Sequence, residues 1–255
     1  MHSPRAPSRA APSWLRDEPY DDIPIGTLKT GKEAEVFVLE RRYVGGSSVM
    51  LAHKRYRPRR PRKDELRELG FQRATAYRNA SVYHAGWHFS SRDRRAVETH
   101  TAHGREVIER LWPYQETMML ERAWAAGASV PYPVEQTTDG LIMEFIGDAE
   151  RAAPRLAQAA LSPEDAVSAW EQLLDSVRSL TGAGLVHGDL SAYNLLWWQA
   201  RLVVIDLPQA VDFTTNADAP ELLHRDLRNV AAWFTRRGVT VDVEATFAEL
   251  LSLAW

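Results

Sequence analysis

The sequence predicts an α+β protein built as two lobes, a small antiparallel-sheet lobe followed by a mostly helical one. Two observations carry this. Strand-like patterns mark Glu35–Arg42 and Ser48–Tyr56 in the first part of the chain, and helical periodicity dominates the part after Ser162. The 255 residues are 45% apolar and 25% charged, which excludes collagen-like, coiled-coil and wholly disordered chains. There is no cysteine, so disulfide scaffolds, thiolate zinc sites and cysteine nucleophiles are excluded, and a reducing cytosol fits. No stretch approaches the roughly 18 apolar residues of a membrane span, and the N-terminus lacks the apolar core of a secretory signal. The expectation is a cytoplasmic protein with no membrane partner.

Residues 1–22, rich in Pro, Ser, Arg and Asp, read as a disordered tail. The first lobe is then expected over 23–146. Glu35–Arg42 alternates, with Val36, Val38 and Glu40 on one face; Gly45-Gly46 offers a turn, and Ser48–Tyr56 reads as the returning strand of a hairpin. Residues 57–104 carry few apolar repeats and read as a basic, partly mobile insertion. From Arg105 to Ala126 the apolar residues recur at helical intervals (Val107, Ile108, Leu111, Met118, Leu120, Ala123), with Pro113 expected to kink the helix or restart it. Pro131 and Pro133 suggest a link, and Leu141–Ile146, between Gly140 and Gly147, a buried strand.

The second lobe is expected over 147–255. Ser162 is an N-cap, Pro163 takes the first helical position, and Glu164 and Asp165 complement the helix dipole. Val167, Trp170, Leu173, Leu174, Val177 and Leu180 form one stripe, which Gly182 and Gly184 end. Leu195–Trp198 and Leu202–Ile205 form a tight hairpin in which at least one of Trp197 and Trp198 packs in the core. Helices are expected again over 219–236 and 243–253.

Charge is unevenly spread. The net charge is −3, yet residues 41–80 hold twelve Lys/Arg against three Asp/Glu. Residues 55–63 are the densest part. Such a strip suits either a solvated loop or the recruitment of an acidic or nucleic-acid (ribonucleoprotein) partner.

The chemistry concentrates in Leu185–Asp206. His187, Asp189 and Asn194 lie on one loop, and Asp206 ends the second hairpin strand, which brings it back beside Asn194. Asp189 is then free to orient a hydroxyl, while Asn194 and Asp206 offer oxygen ligands to a hard cation such as Mg²⁺. Catalytic Asp and metal-binding Asn five residues apart is the arrangement of phosphoryl transfer in kinases.

HGDLSAYNLL followed by VVIDLPQAVD resembles the RIO family of atypical protein kinases, with Asp206-Leu207-Pro208-Gln209 the more specific half. The resemblance implies a two-lobed protein-kinase-like fold, ATP and Mg²⁺ as cofactors, and an unknown protein as substrate. It further implies that TGKEAEV, with Gly31, Lys32 and Glu33, covers the phosphates. Lys54 would hold them, Glu116 would pair with Lys54, and the backbone of Glu144 and Ile146 would face adenine. Asp189 would be the catalytic base. Asp206 would bind metal with Asn194 and could itself accept phosphate, giving ATPase-like turnover. Ala192 departs from the family's usual Glu, which leaves the loop without a charged anchor, and Gly188 replaces the usual Ala. Gly188 also suits a small-molecule phosphotransferase of the aminoglycoside or choline kinase kind, and that alternative stays open.

Two imitations are set aside. His224-Arg225-Asp226-Leu227 reads like the catalytic loop of ordinary kinases, but position 231 is Ala rather than Asn. The segment is amphipathic, so Asp226 is expected on a structural helix, its replacement leaving turnover intact. Gly26-x₄-Gly31-Lys32 imitates a Walker A loop, but Glu33 replaces its Ser/Thr and a strand follows. His84, His88, His100 and His103 match no ligand spacing.

Overall fold

The computed structural model describes residues 9–31, 34–57, 95, 101–149 and 151–254. Its first three strands are β1 (Tyr20–Thr30), β2 (Ala34–Tyr43) and β3 (Ser48–Tyr56). The predicted hairpin forms with unbroken register from Ala34 opposite Tyr56 to Arg42 opposite Ser48. β1 starts inside the segment expected to be a tail. Asp22 lies across from Arg41, which donates to both of its carboxylate oxygens at 2.8 and 2.7 Å, so its charge reports a strand contact rather than solvation. Trp14, also in that segment, packs on the Leu39–Leu51–Ile142 cluster with its ring edge-on to Tyr132. The expected tail of 1–22 is therefore too long.

β4 (Pro133–Gln136) and β5 (Gly140–Glu144) complete an antiparallel sheet of order β1-β2-β3-β5-β4. Of the two prolines that read as a link, Pro133 begins an edge strand, where a residue without an N–H is tolerated, and Pro131 precedes it. Between β3 and β4 runs α1 (Ala102–Ala125), which starts inside the expected insertion and continues through Pro113 as one helix. Its second half lays Met119, Leu120, Ala123 and Trp124 into the main core, and this packing offsets the hydrogen bond that proline cannot make. Of the rest of the expected insertion, all but residues 57, 95 and 101 lie outside the described residues.

The second lobe holds most of that core. α2 (Pro163–Gly182) begins as read: Ser162 Oγ accepts from the Asp165 N–H at 3.0 Å. Its buried face includes Ala166 and Ala169, while Val167 is exposed, because small residues let the helix approach its neighbours. β6 (Leu185–Val186) pairs with β9 (Val211–Asp212), and β7 (Leu195–Trp198) with β8 (Arg201–Val204). Trp197 packs on the main core and Trp198 on the Ile146–Ala153–Val203 cluster, as expected of core residues. α3 (Ala219–Thr235) and α4 (Val243–Leu253) close the chain. Among the described residues no helix is long and apolar enough to cross a membrane.

Arg41 is 3% exposed, bridges Asp22 and Glu135, and lies 3.7 Å from the Tyr20 ring centroid. Removing it strands two carboxylates against the sheet. Arg41→Ala should destabilise the protein by about 2–4 kcal/mol, read from the denaturant midpoint.

Candidate active site

A cleft of about 780 Å³ separates the sheet from the second lobe, with Val36, Ala52, Met143 and Leu196 as apolar walls and Lys54, Glu116 and Asp206 at one end. Lys54 is carried by β3 between Val36 of β2 and Leu141 of β5. Its Nζ donates to Glu116 Oε1 at 2.7 Å and to Asp206 Oδ1 at 2.8 Å. The three residues come from β3, α1 and the end of β8, so the sequence-predicted pair Lys54–Glu116 is made and extended to the second lobe. Burial works against the Lys54 ammonium, but the Glu116 carboxylate, the neighbouring Tyr56 and Asp206 hold its pKa well above the usual lysine range. Asp206 is held below the ordinary carboxylate range by Lys54, against its own burial. Its φ of 69° turns it out of line with β8.

Tyr56 was not found by sequence reasoning. Two residues past Lys54 on the same face of β3, its hydroxyl donates to Glu116 Oε2, occupying the oxygen that Lys54 leaves free. Period-two spacing along the strand was the available signal.

The loop after β6 positions the other predicted residues. His187, 3% exposed, has its Nε2 3.0 Å from the Ile205 carbonyl, and its Nδ1 accepts the Asp189 N–H at 3.3 Å. Asn194 Nδ2 donates to the Asp189 carbonyl at 2.8 Å and to Asp189 Oδ2 at 3.2 Å. The Ile205 N–H donates to the Asn194 carbonyl at 2.9 Å, which brings Asp206 beside Asn194 as the hairpin predicted. Burial raises the Asp189 pKa, with Asp206 adding to the effect. With Asn194 using its amide N–H on Asp189 and Asp206 using Oδ1 on Lys54, the remaining oxygen of each is a hard donor. That pair fits a divalent cation whose other positions are filled by water or phosphate. Among the described residues no cluster of three or more His, Asp or Glu forms a separate metal site.

Asp226 departs from expectation. It lies on α3, as the amphipathic pattern required, but it is 1% exposed and carries the loop. The Gly188 N–H donates to Asp226 Oδ2 at 2.7 Å and the Leu190 N–H to Oδ1 at 3.0 Å, while Arg225 donates to the Gly188 carbonyl. A second set of bonds comes from residues 154–157: Ala157 N–H to the Ala192 carbonyl at 2.9 Å, Trp197 N–H to the Pro154 carbonyl at 3.1 Å, and Arg155 to the Tyr193 carbonyl. The loop therefore keeps its anchoring with Ala at 192. Burial pushes Asp226 up to about 6 against the pull of His187 and the two N–H groups. Gly188 is explained by space. Its φ is 81°, and an added Cβ would lie 2.6 Å from the Gln209 carbonyl oxygen.

Gly31 lines the cleft and closes a tight turn, its N–H donating to the Ala34 carbonyl at 2.9 Å; Lys32 and Glu33 lie outside the described residues. In the hinge segment the Glu144 N–H donates to the Tyr132 carbonyl at 2.8 Å and the Ile146 carbonyl accepts from Ala153 at 2.9 Å. Glu144 and Ile146 both line the cleft. Of the basic strip, Arg55 pairs with Asp139 at 3.6 Å and Arg57 with Glu35, and residues 58–63 lie outside the described residues. His84, His88 and His100 also lie outside the described residues. Gly26 lies within β1, Gly31 just past its end, and a strand, β2, follows instead of the helix that a Walker A loop requires.

A five-stranded antiparallel lobe, a helix supplying the partner of a strand lysine, and a helical lobe carrying the Asp189–Asn194 loop define a protein-kinase-like fold. A family model described as the RIO domain matches residues 73–247. The chain is 36% identical over 222 residues to the RIO-type serine/threonine-protein kinase Rio1 of Haloferax volcanii, covering 87% of this chain and 67% of that protein. It is 38% identical over 137 residues to the serine/threonine-protein kinase RIO3 of Mus musculus, covering 53% of this chain and 26% of that one. With the RIO1 kinase of Chaetomium thermophilum it shares 31% over 224 residues, 84% of this chain and 40% of that one. The chain belongs to the RIO family of atypical kinases.

Two predictions follow from the anchoring. Asp226→Ala leaves the Gly188 and Leu190 N–H groups unpaired, so turnover should fall at least about tenfold and stability by about 2–4 kcal/mol. The raised Asp226 pKa has a defined sign. Between about pH 4, the free value, and about 6 the native state holds the extra proton, so this group's contribution to stability is lost as pH rises through that window. Asp226→Asn should flatten that part of the stability profile in denaturant titrations. Separately, Tyr56→Phe should weaken nucleotide binding about five- to tenfold by freeing Glu116, measured by calorimetry.

Proposed function

We propose that this chain is an ATP- and Mg²⁺-dependent protein serine/threonine kinase. The observation that carries the reading is the Lys54 ammonium held between Glu116 and Asp206 at 2.7 and 2.8 Å, next to Asp189 and Asn194. Lys54 holds the phosphates from the sheet side and Gly31 brings backbone close to them. Ala52 and Leu196 line the cleft and would flank the adenine, with the backbone of Glu144 and Ile146 facing its edge. Asn194 and Asp206 would hold Mg²⁺, which would neutralise charge on the phosphates. Asp189, its proton affinity raised by burial, takes the proton of the acceptor hydroxyl. The hydroxyl oxygen bonds to the γ-phosphorus, the bond to the β–γ bridging oxygen breaks, and ADP leaves with that electron pair.

A specific observation supports a second outcome at the same site. The Asp206 side chain is 40% exposed and held ionised by Lys54, so its free oxygen can attack the γ-phosphorus; the bond to the β–γ bridging oxygen breaks, ADP leaves, and water then hydrolyses the aspartyl-phosphate.

Incubation with γ-³²P-ATP and Mg²⁺ separates these. Acid-stable label on protein is the kinase outcome; label released by hydroxylamine and absent in Asp206→Ala is the aspartyl-phosphate. ATP consumption that depends on an added amino alcohol or aminoglycoside, with no label on protein, would overturn both. Lys54→Ala and Asp189→Ala should each lower turnover by at least about a hundredfold. The acidic limb of the rate profile should lie above the ordinary aspartate range, with rate falling as Asp189 is protonated.

A further inference from the structure

Two cations in the cleft have none of the phosphate, metal or catalytic roles given above, though one of them, Arg155, also helps to hold the loop. Lys29 stands on β1 and Arg155 just ahead of the short 3₁₀ turn at Leu156–Gln158, one from each lobe, and both line the cleft beside Asp206. Their placement is built. β1 carries a register shift between Thr27 and Lys29, after which Lys29 sits opposite Val36, a residue of the cleft wall. Without that bulge Leu28 would take the position opposite Val36, so the irregularity sets which side chain lies across from the wall. Arg155 forms an isolated bridge with Leu196 and donates to the Tyr193 carbonyl, which ties it to the loop between Asp189 and Asn194.

We propose that Lys29 and Arg155 form a two-sided clasp for the terminal phosphates of the nucleotide, one cation from each lobe closing over the Asp206 end of the cleft.

Among the described residues neither side chain forms an ion pair with a carboxylate within 4.0 Å, and the hydrogen bond that Arg155 makes goes to the neutral Tyr193 carbonyl. They also act on each other. The Lys29 ammonium is pushed below the usual lysine range first by burial and then by the positive charge of Arg155, with Lys54 adding and Asp206 pulling the other way. Like charges facing each other across a cleft repel until an anion enters between them, and a polyphosphate supplies several acceptor oxygens at once. The clasp thus favours the closed, phosphate-loaded cleft over the empty one. This inference rests on the ATP reading.

The test compares Kd for ATP, ADP and adenosine in the wild type, Lys29→Gln, Arg155→Gln and the double variant, by calorimetry at low and high salt. Each single substitution should weaken ATP about three- to tenfold, ADP less, and adenosine not at all; adenosine binding also reports that the cleft is intact. Arg155→Lys should keep more ATP affinity than Arg155→Gln, and the double variant should lose part of the salt dependence. Unchanged ATP affinity in the double variant, or an equal loss for adenosine, would overturn the clasp. Wild-type protein that binds no ATP would overturn the kinase reading and the clasp with it.

Discussion

The buried Lys54 ammonium is the constraint on which the rest of the structure depends. An unpaired cation at that depth costs several kcal/mol, so the fold must deliver carboxylates to it. Two arrive from different parts of the chain, Glu116 from α1 and Asp206 from beyond β8. Either one removed leaves a buried charge short of its partner, a loss of about 3–5 kcal/mol in comparable pairs. The triad therefore acts as a registration device. It sets α1 against the sheet and the end of the β7–β8 hairpin against both.

The rest of α1 follows from that demand. Glu116 can reach Lys54 only if the helix is held, and the turns that follow place Met119, Leu120, Ala123 and Trp124 in the main core. Arg122 adds a second tie, donating to Asp212 of β9 at 2.7 Å. The helix thus belongs to the sheet by its charge and to the second lobe by its apolar face. A helix shared in this way couples any change at the cleft to the packing of the larger lobe.

Around the cleft, environment pushes two aspartates in opposite directions. Asp206, against Lys54, stays ionised; Asp189, buried with Asp206 nearby, holds its proton more tightly than a free side chain. Carboxylates driven apart in this way suit different tasks, one as a permanent anion and one as a proton acceptor. The backbone on either side of Asp189 is held by a third aspartate, Asp226, which accepts the Gly188 and Leu190 N–H groups from inside the core. A carboxylate buried there costs stability as an ion, and what it contributes is the position of Gly188–Leu190.

Much of this was legible in the residues themselves. Ser162-Pro163, the period of α2 and α3, the β2–β3 and β7–β8 hairpins and the Asp189–Asn194–Asp206 spacing are local patterns, and local patterns are written along the chain. Lys54 and Glu116 came from family likeness, since nothing in sixty intervening residues announces their contact. Tertiary structure decided the rest. Asp22 looked like tail until Arg41 stood opposite it, Pro133 looked like a link until β5 offered an edge, and Pro113 looked like a break until the core held the helix. Asp226, Tyr56 and Arg155 read as ordinary helix, strand and loop residues, because what they do lies in partners 36 to 60 positions away. A side chain's period is set by its own backbone; its partner is set by how the lobes close, and that is a property of the packed chain alone.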